Sequence, residues 1–211
     1  TDSLVGSEMC IRDRLNVHKE TYIDKINNLS LTQEEIRKLG FPLVSSVRRR
    51  SFVATGGTVL ASKLAVKNKL ACNTAGGSHH AFSDQGNGYC VFNDVAVAAK
   101  YLKKKYKFEK ILILDLDVHQ GDGTAKIFQD DERVYTVSLH GKNNFPFRKQ
   151  ISDWDLEFEN ETGDAEYLNA LDKVLDKLSA EDFDLIFFQA GVDGLASDAL
   201  GLLDLSREGL K

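Results

Sequence analysis

Asp115, Asp117 and His119 stand at two-residue spacing directly after the apolar run Ile111-Leu-Ile-Leu114. If that run is a strand, side chains alternate faces and these three point the same way. Carboxylates and an imidazole gathered at a strand end suggest a metal site rather than core. Three other segments end in polar residues of the same kind: Gly76-Gly-Ser-His79-His80, Ser138-Leu-His140 and Gly191-Val-Asp193. A catalytic zinc typically has three protein ligands and one open position. Asp117, His119 and Asp193 would supply two carboxylates and one imidazole, a set that also suits Fe(II) or Mn(II). Such an ion polarises a carbonyl and lowers the pKa of its bound water towards about 7. A neighbouring general base completes a hydrolytic site, and His79 and His80 are the candidates. Asp115 and Asp122 are the acids left over to orient them.

Each of these residues has a plainer reading alone. An aspartate at a strand end usually caps a helix or forms a turn. His-His after Gly-Gly is usually a loop, and Asp-x-Asp can handle Mg²⁺ or phosphate. His140 reads as a structural histidine, Arg48 to Arg50 as a solvated face, and Tyr89 and Phe145 as core. The combination on successive strands is what favours a metal site.

The elements that must position these groups alternate between strand and helix. Thr32 and Glu35 form a capping box that opens a short helix ending at Gly40, before Pro42. Gly57 to Lys69 has helical composition, and Leu70 to Gly77 reads as a short strand running into a glycine turn. Asn93 to Tyr106 is an amphipathic helix with an acidic first turn and a basic last turn. Strands follow at Lys110 to Leu116 and Val134 to His140. Leu168, Leu171, Leu175 and Leu178 mark a helix over Ala165 to Ala180. Phe183 to Ala190 is a near-continuous apolar strand of the doubly covered kind. This alternation implies βαβ units, a mostly parallel sheet, and a ligand site beyond the carboxyl ends of its strands.

The 211 residues fit about one domain with ordinary globular composition, 42% apolar and 28% charged. A net charge of −5 argues against a nucleic-acid binder held by bulk electrostatics. No apolar run approaches the length of a membrane span, and no secretory signal is visible. Cys10, Cys72 and Cys90 show no C-x-x-C pairing, which fits a reducing cytoplasm. Thr1 to Arg14 resembles a translated sequencing-adapter string and is set apart from a domain over residues 15–211. Leu205 to Lys211 reads like the start of a helix, so the domain is expected to be truncated at its C-terminus.

Five segments, in order and at similar spacing, resemble the zinc-dependent histone deacetylase family. They are Gly76-Gly-Ser-His79-His80-Ala, Gly88-Tyr-Cys-Val-Phe-Asn-Asp94, Asp115-Leu-Asp-Val-His-Gln-Gly-Asp-Gly123, Ser138-Leu-His140 and Gly191-Val-Asp193. Phe41-Pro to Lys67 and Phe145-Pro to Tyr167 are most similar to the class IV branch and its bacterial relatives. The resemblance implies an arginase/deacetylase α/β fold with Zn²⁺, or Fe²⁺, on Asp117, His119 and Asp193. It pairs His79 with Asp115 and His80 with Asp122, with His80 as the main base and then the acid that protonates the leaving amine. It places Gly88, Tyr89 and Phe145 along an acyl-lysine channel. It also implies a structural K⁺ on Asp115, Ser138 and carbonyls of Asp117, His119 and Leu139.

Two departures stand out. Ser78 occupies a position that is aromatic in many relatives, which would widen the pocket floor. The family's Gly-Gly-Tyr segment lies downstream of Asp193 and beyond this chain, and losing one oxyanion donor typically costs about 10²–10³ in rate. The expected activity is a metal-dependent deacylase on acyl-lysine or a related acylated amine. The rivals are an acetylpolyamine amidohydrolase on the same fold and an impaired metal-binding interaction module. An arginase-like ureohydrolase is disfavoured, because a two-metal site needs more carboxylates than Asp117 and Asp193.

Overall fold

In the computed structural model, residues 16–211 are described, so the suspect segment 1–14 lies outside them. The described residues form two compact units, one through Glu109 and one from Lys110 to Lys211.

The first unit is helical, with α1 at Glu20–Asn27, α2 at Gln33–Leu39, α3 at Ser45–Asn68 and α4 at Asp94–Tyr106. The expected capping box opens α2. The Thr32 hydroxyl accepts from the Glu35 amide at 3.2 Å, and the Glu35 carboxylate accepts from the Thr32 amide at 2.8 Å. Gly40 closes the helix at φ 91°. Helix α3 starts twelve residues before the expected Gly57, because Val47 and Phe52 of its first half pack, half-buried, against the unit's core and offset the cost of Gly56 and Gly57. Arg48 is therefore not a solvated side chain; it donates to the Asn27 carbonyl at the end of α1, at 2.6 Å. Tyr22, Ile26, Leu39, Val91 and Phe92 form this unit's core.

The expected strand over Leu70 to Gly77 is not formed. Two of its amides, and that of the following Ser78, are held by side chains instead of a ladder. Asn73 accepts from the Ala75 amide at 3.1 Å, and Asp94 accepts from those of Gly77 and Ser78, the latter at 2.7 Å.

The second unit is built on a four-stranded parallel sheet in the order β3-β2-β1-β4. Its strands are β1 Ile111–Asp115, β2 Val134–Gly141, β3 Trp154–Phe158 and β4 Leu185–Gln189; the helices α5 Asp122–Phe128 and α6 Asp164–Ser179 intervene. Leu112 and Leu114 of β1 pack with Val137, Leu139, Phe158, Val174 and Leu178. Strand β4 is an edge, and its apolar run is not covered on both faces as expected. Ile186 and Phe188 are 56% and 60% exposed while their neighbours are half-buried. The chain runs from β1 outward to β2 and β3, then returns to place β4 on the other side of β1. That reversal is the switch point at which open parallel sheets bind ligands.

Candidate functional site

The loops after β1 and β4 meet at this switch point. β1 ends at Asp115, so the alternation does not carry through to His119 as a strand would. Residues 117–119 bend instead, and the bend is built from side-chain acceptors. Asp115 accepts from the Asp117 amide at 3.1 Å, and Asp117 accepts from the His119 amide at 2.9 Å. Asp193, following β4, accepts from the Val118 amide at 3.0 Å. His119 Nδ1 lies 3.0 Å from an oxygen of Asp117 and 3.0 Å from an oxygen of Asp193. Candidate donor atoms of Asp117, His119 and Asp193 all lie within 4.8 Å of one another.

Burial disfavours the charged form of the His119 imidazole. Hydrogen bonds to Asp117 and Asp193 outweigh this and push its pKa up to about 9. Two carboxylates converge on one imidazole nitrogen. A divalent cation satisfies that donor set better than a proton does, so these residues fit a metal. Close packing fixes the arrangement. A Cβ on Gly191 would stand 2.5 Å from the Asp117 Cα, and Gly201 lies so close to the Asp193 carbonyl that no side chain fits.

Asp115 and Ser138 are register partners on β1 and β2. The Ser138 hydroxyl lies 2.9 Å from His140 Nδ1, and Leu139 is fully buried. Asp122 is the buried first residue of α5. Gln120, which the sequence reading passed over, is buried between them in sequence. Its amide group donates to the Gln150 carbonyl and to Asp155, and accepts from the Gln150 amide, each at 2.8 Å.

The first unit carries His79 and His80 in a turn. Both are buried, with ring centroids 4.1 Å apart and Nε2 atoms 3.1 Å apart. One ring can hold a proton against the other's lone pair at that distance. The turn is held from α4. The Asn93 side chain accepts from the Ala96 amide to cap α4, and donates to the carbonyls of His79 and Ala81. His18 accepts from the Asn93 amide at 3.0 Å. Asp94 grips the preceding Gly77-Ser78 amides and the Thr58 hydroxyl. An Asn-Asp pair at a helix start reads as a local cap, which is why these scaffold roles were not visible in the sequence.

Gly88 and Tyr89 both have positive φ, 49° and 65°. The strained turn is held by α2, whose Lys38 and Leu39 carbonyls accept from the two amides. Tyr89 is not core: it is 66% exposed, and its ring stacks on Phe41. Phe145 is half-buried in the loop after β2, edge-on to Phe147. Lys149 closes that loop by donating to the carbonyls of Lys142, Asn144 and Pro146. A cavity of about 220 Å³ within the first unit is lined by Phe41, Arg50, Thr55, Ser78, Tyr89 and Phe92, among others.

Residues 5–211 match the family described as the histone deacetylase domain. The chain is 46% identical over 195 residues to an uncharacterized protein of Picosynechococcus, covering 92% of this chain and 65% of that protein. It is 31% identical over 209 residues to Arabidopsis thaliana histone deacetylase 2, covering 94% of this chain and 54% of the relative. Among solved structures it is similar to a histone deacetylase homolog from Aquifex aeolicus. That match has a TM-score of 0.84 and 31% identity, and covers 94% of this chain and 59% of the other. The chain thus spans between half and two thirds of the length of these proteins.

Proposed function

The chain belongs to the histone deacetylase family, and from that premise we propose that it serves a metal-dependent amide hydrolase acting on acyl-lysine or a related acylated amine. The observation that carries this reading is the convergence of Asp117, His119 and Asp193 at the sheet's switch point. We assign them as the ligands of one Zn²⁺ or Fe²⁺. When bound, the ion would polarise the acyl carbonyl and lower the pKa of water towards about 7.

The remaining work falls to the chain's own side chains. Asn93 and Asp94 hold the His79-His80 turn in one geometry, which a general base requires before its pKa matters. His80 takes a proton from the attacking water and returns it to the leaving amine. His79 is oriented by Asp115 and His80 by Asp122 in this reading. Tyr89, presented by the positive-φ turn with Gly88, and Phe145 flank the acyl-lysine stem. Asp115 and Ser138, with backbone carbonyls of Asp117, His119 and Leu139, would hold a structural K⁺.

Ser78 adjoins His79 and lines the 220 Å³ cavity of the same unit. Without an aromatic ring there, the floor of the pocket would be wider in this reading. The stretches around Arg48 to Arg50 and Thr162 to Tyr167 support placement in the class IV branch. Cys72 and Cys90 form no disulfide, which supports a reducing cytoplasm. No helix among the described residues is long and apolar enough to cross a membrane.

The test is a hydrolysis screen of the full-length protein on acyl-lysine peptides of increasing chain length and on acetylpolyamines, with and without a chelator. Peptide hydrolysis that the chelator abolishes and Zn²⁺ or Fe²⁺ restores is expected. Turnover confined to acetylpolyamines would move the substrate to a small amine. No turnover on any substrate, with metal bound, would leave a binding module.

A further inference from the structure

Asn144 lies in a loop whose other side chains are largely open to water, with Lys142 and Asn143 exposed and Phe147 88% exposed. Asn144 itself is 3% exposed. Burying an amide costs several kcal/mol unless its hydrogen bonds are replaced, so both ends must find partners. They find them on the loop that follows Asp193. Nδ2 donates to the Leu200 carbonyl at 2.9 Å, and Oδ1 accepts from the Leu202 amide at 3.3 Å. The Asn144 backbone is fixed as well, with its amide donating to the Gly141 carbonyl and its carbonyl accepting from Lys149. Its side chain fills the space where Gly141 would carry a Cβ.

The segment that Asn144 grips is itself stiff. The Asp198 carboxylate accepts from the Leu200 and Gly201 amides, both at 2.8 Å. Gly201 packs directly on the Asp193 carbonyl, with no space between them for a methyl group. A shift of Leu200 or Leu202 therefore moves the backbone that carries Asp193. On the other side, Asn144 is the residue immediately before Phe145.

We infer that Asn144 is a positioning residue whose side chain ties the Phe145 loop to the Asp193 loop, so that one amide sets a metal ligand and a channel wall together. This rests on the reading of Asp193 as a ligand and Phe145 as a wall of the acyl-lysine channel. Only a group with one donor and one acceptor at this reach serves. An aspartate keeps the bond to the Leu202 amide but turns the contact with the Leu200 carbonyl into repulsion.

The test uses the full-length protein with N144D and N144A, and D193A as the control for the reading itself. Co²⁺ and Zn²⁺ affinities are measured by chelator competition, the Co²⁺ site by its visible spectrum, and KM and kcat with an acetyl-lysine peptide. For N144D the expected result is metal binding about tenfold weaker, the range seen when an outer-sphere support is lost. It comes with an altered Co²⁺ spectrum and a KM raised more than kcat is lowered. If D193A loses metal while folded N144D and N144A keep wild-type affinity, spectrum and KM, the inference is overturned and the ligand assignment stands. If D193A keeps its metal, the ligand assignment fails and the inference fails with it. Should N144A not fold, N144D decides alone.

Discussion

The two units hold their reactive side chains by different means. In the second unit, Asp117, His119 and Asp193 sit where the strand order of a parallel sheet reverses, and main-chain amides and glycine contacts fix them. In the first unit, His79 and His80 sit in a turn that belongs to no sheet; Asn93, Asp94 and His18 hold it from and around the start of α4. The backbone-built site concentrates negative charge and so favours a cation. The side-chain-built site is an imidazole pair hydrogen-bonded to itself, suited to moving a proton. If the two sites bind metal and move a proton as proposed, the two tasks depend on separate scaffolds, and each should be damaged without the other.

The strongest test of that separation is Asp193→Ala. It should weaken metal binding by more than the 10–100-fold typical of an outer-sphere loss, and abolish turnover, while the first unit stays folded. Chelator competition together with amide exchange of α1 to α4 measures both. Loss of protection in the first unit would show that the two scaffolds are not independent.

Asp94→Asn attacks the other side. Asp94 is 1% exposed and accepts from two amides and a hydroxyl. A poorer acceptor should cost about 1–3 kcal/mol of stability, and displacement of the turn should lower kcat by up to about 10²-fold. Metal content should remain that of the wild type. Atomic absorption and steady-state kinetics on one preparation separate the two, and a parallel loss of metal would contradict the comparison.

The smallest expected effect lies away from both sites, at the start of α2. The Lys25 side chain bonds to Glu35, as does the Thr32 amide, and both hold its carboxyl below the ordinary 4.5. A depressed folded-state pKa contributes stability that is present above 4.5 and lost as pH falls through the lowered value. The pair is partly open to solvent, so the contribution stays below about 1 kcal/mol. Glu35→Gln should flatten the acid limb of the stability curve by that amount in urea melts at pH 3 to 6, and leave metal and kinetics unchanged. A larger effect, or one that persists at pH values below the lowered pKa, would assign Glu35 a role beyond the cap.

The second unit was the more legible of the two in the sequence. Asp117, His119 and Asp193 follow apolar runs long enough to be strands, and strands of a parallel sheet end together. The assumption that alternation continues past Asp115 failed, because a short acidic side chain can satisfy the next amides and bend the chain. β3 was missed although Trp154, Leu156 and Phe158 alternate with Asp155 and Glu157, a period of two that marks a half-buried strand. The apolar run of β4 says nothing about which face is covered, since an edge strand needs the same residues on its inner side. In the first unit, the support of the histidine turn comes from Asp94, some seventeen positions on from Gly77. No local pattern announces a cap that also reaches back across a loop.

Gly191 has no side chain to offer a metal or substrate, yet its missing Cβ leaves the space in which Asp117 sits. In a saturation survey scored on turnover, it should therefore rank with the proposed ligands in its intolerance of change. Scored on solubility, it should rank with ordinary loop positions. The gap between those two scores is a genetic reading of how closely the two loops are pressed together.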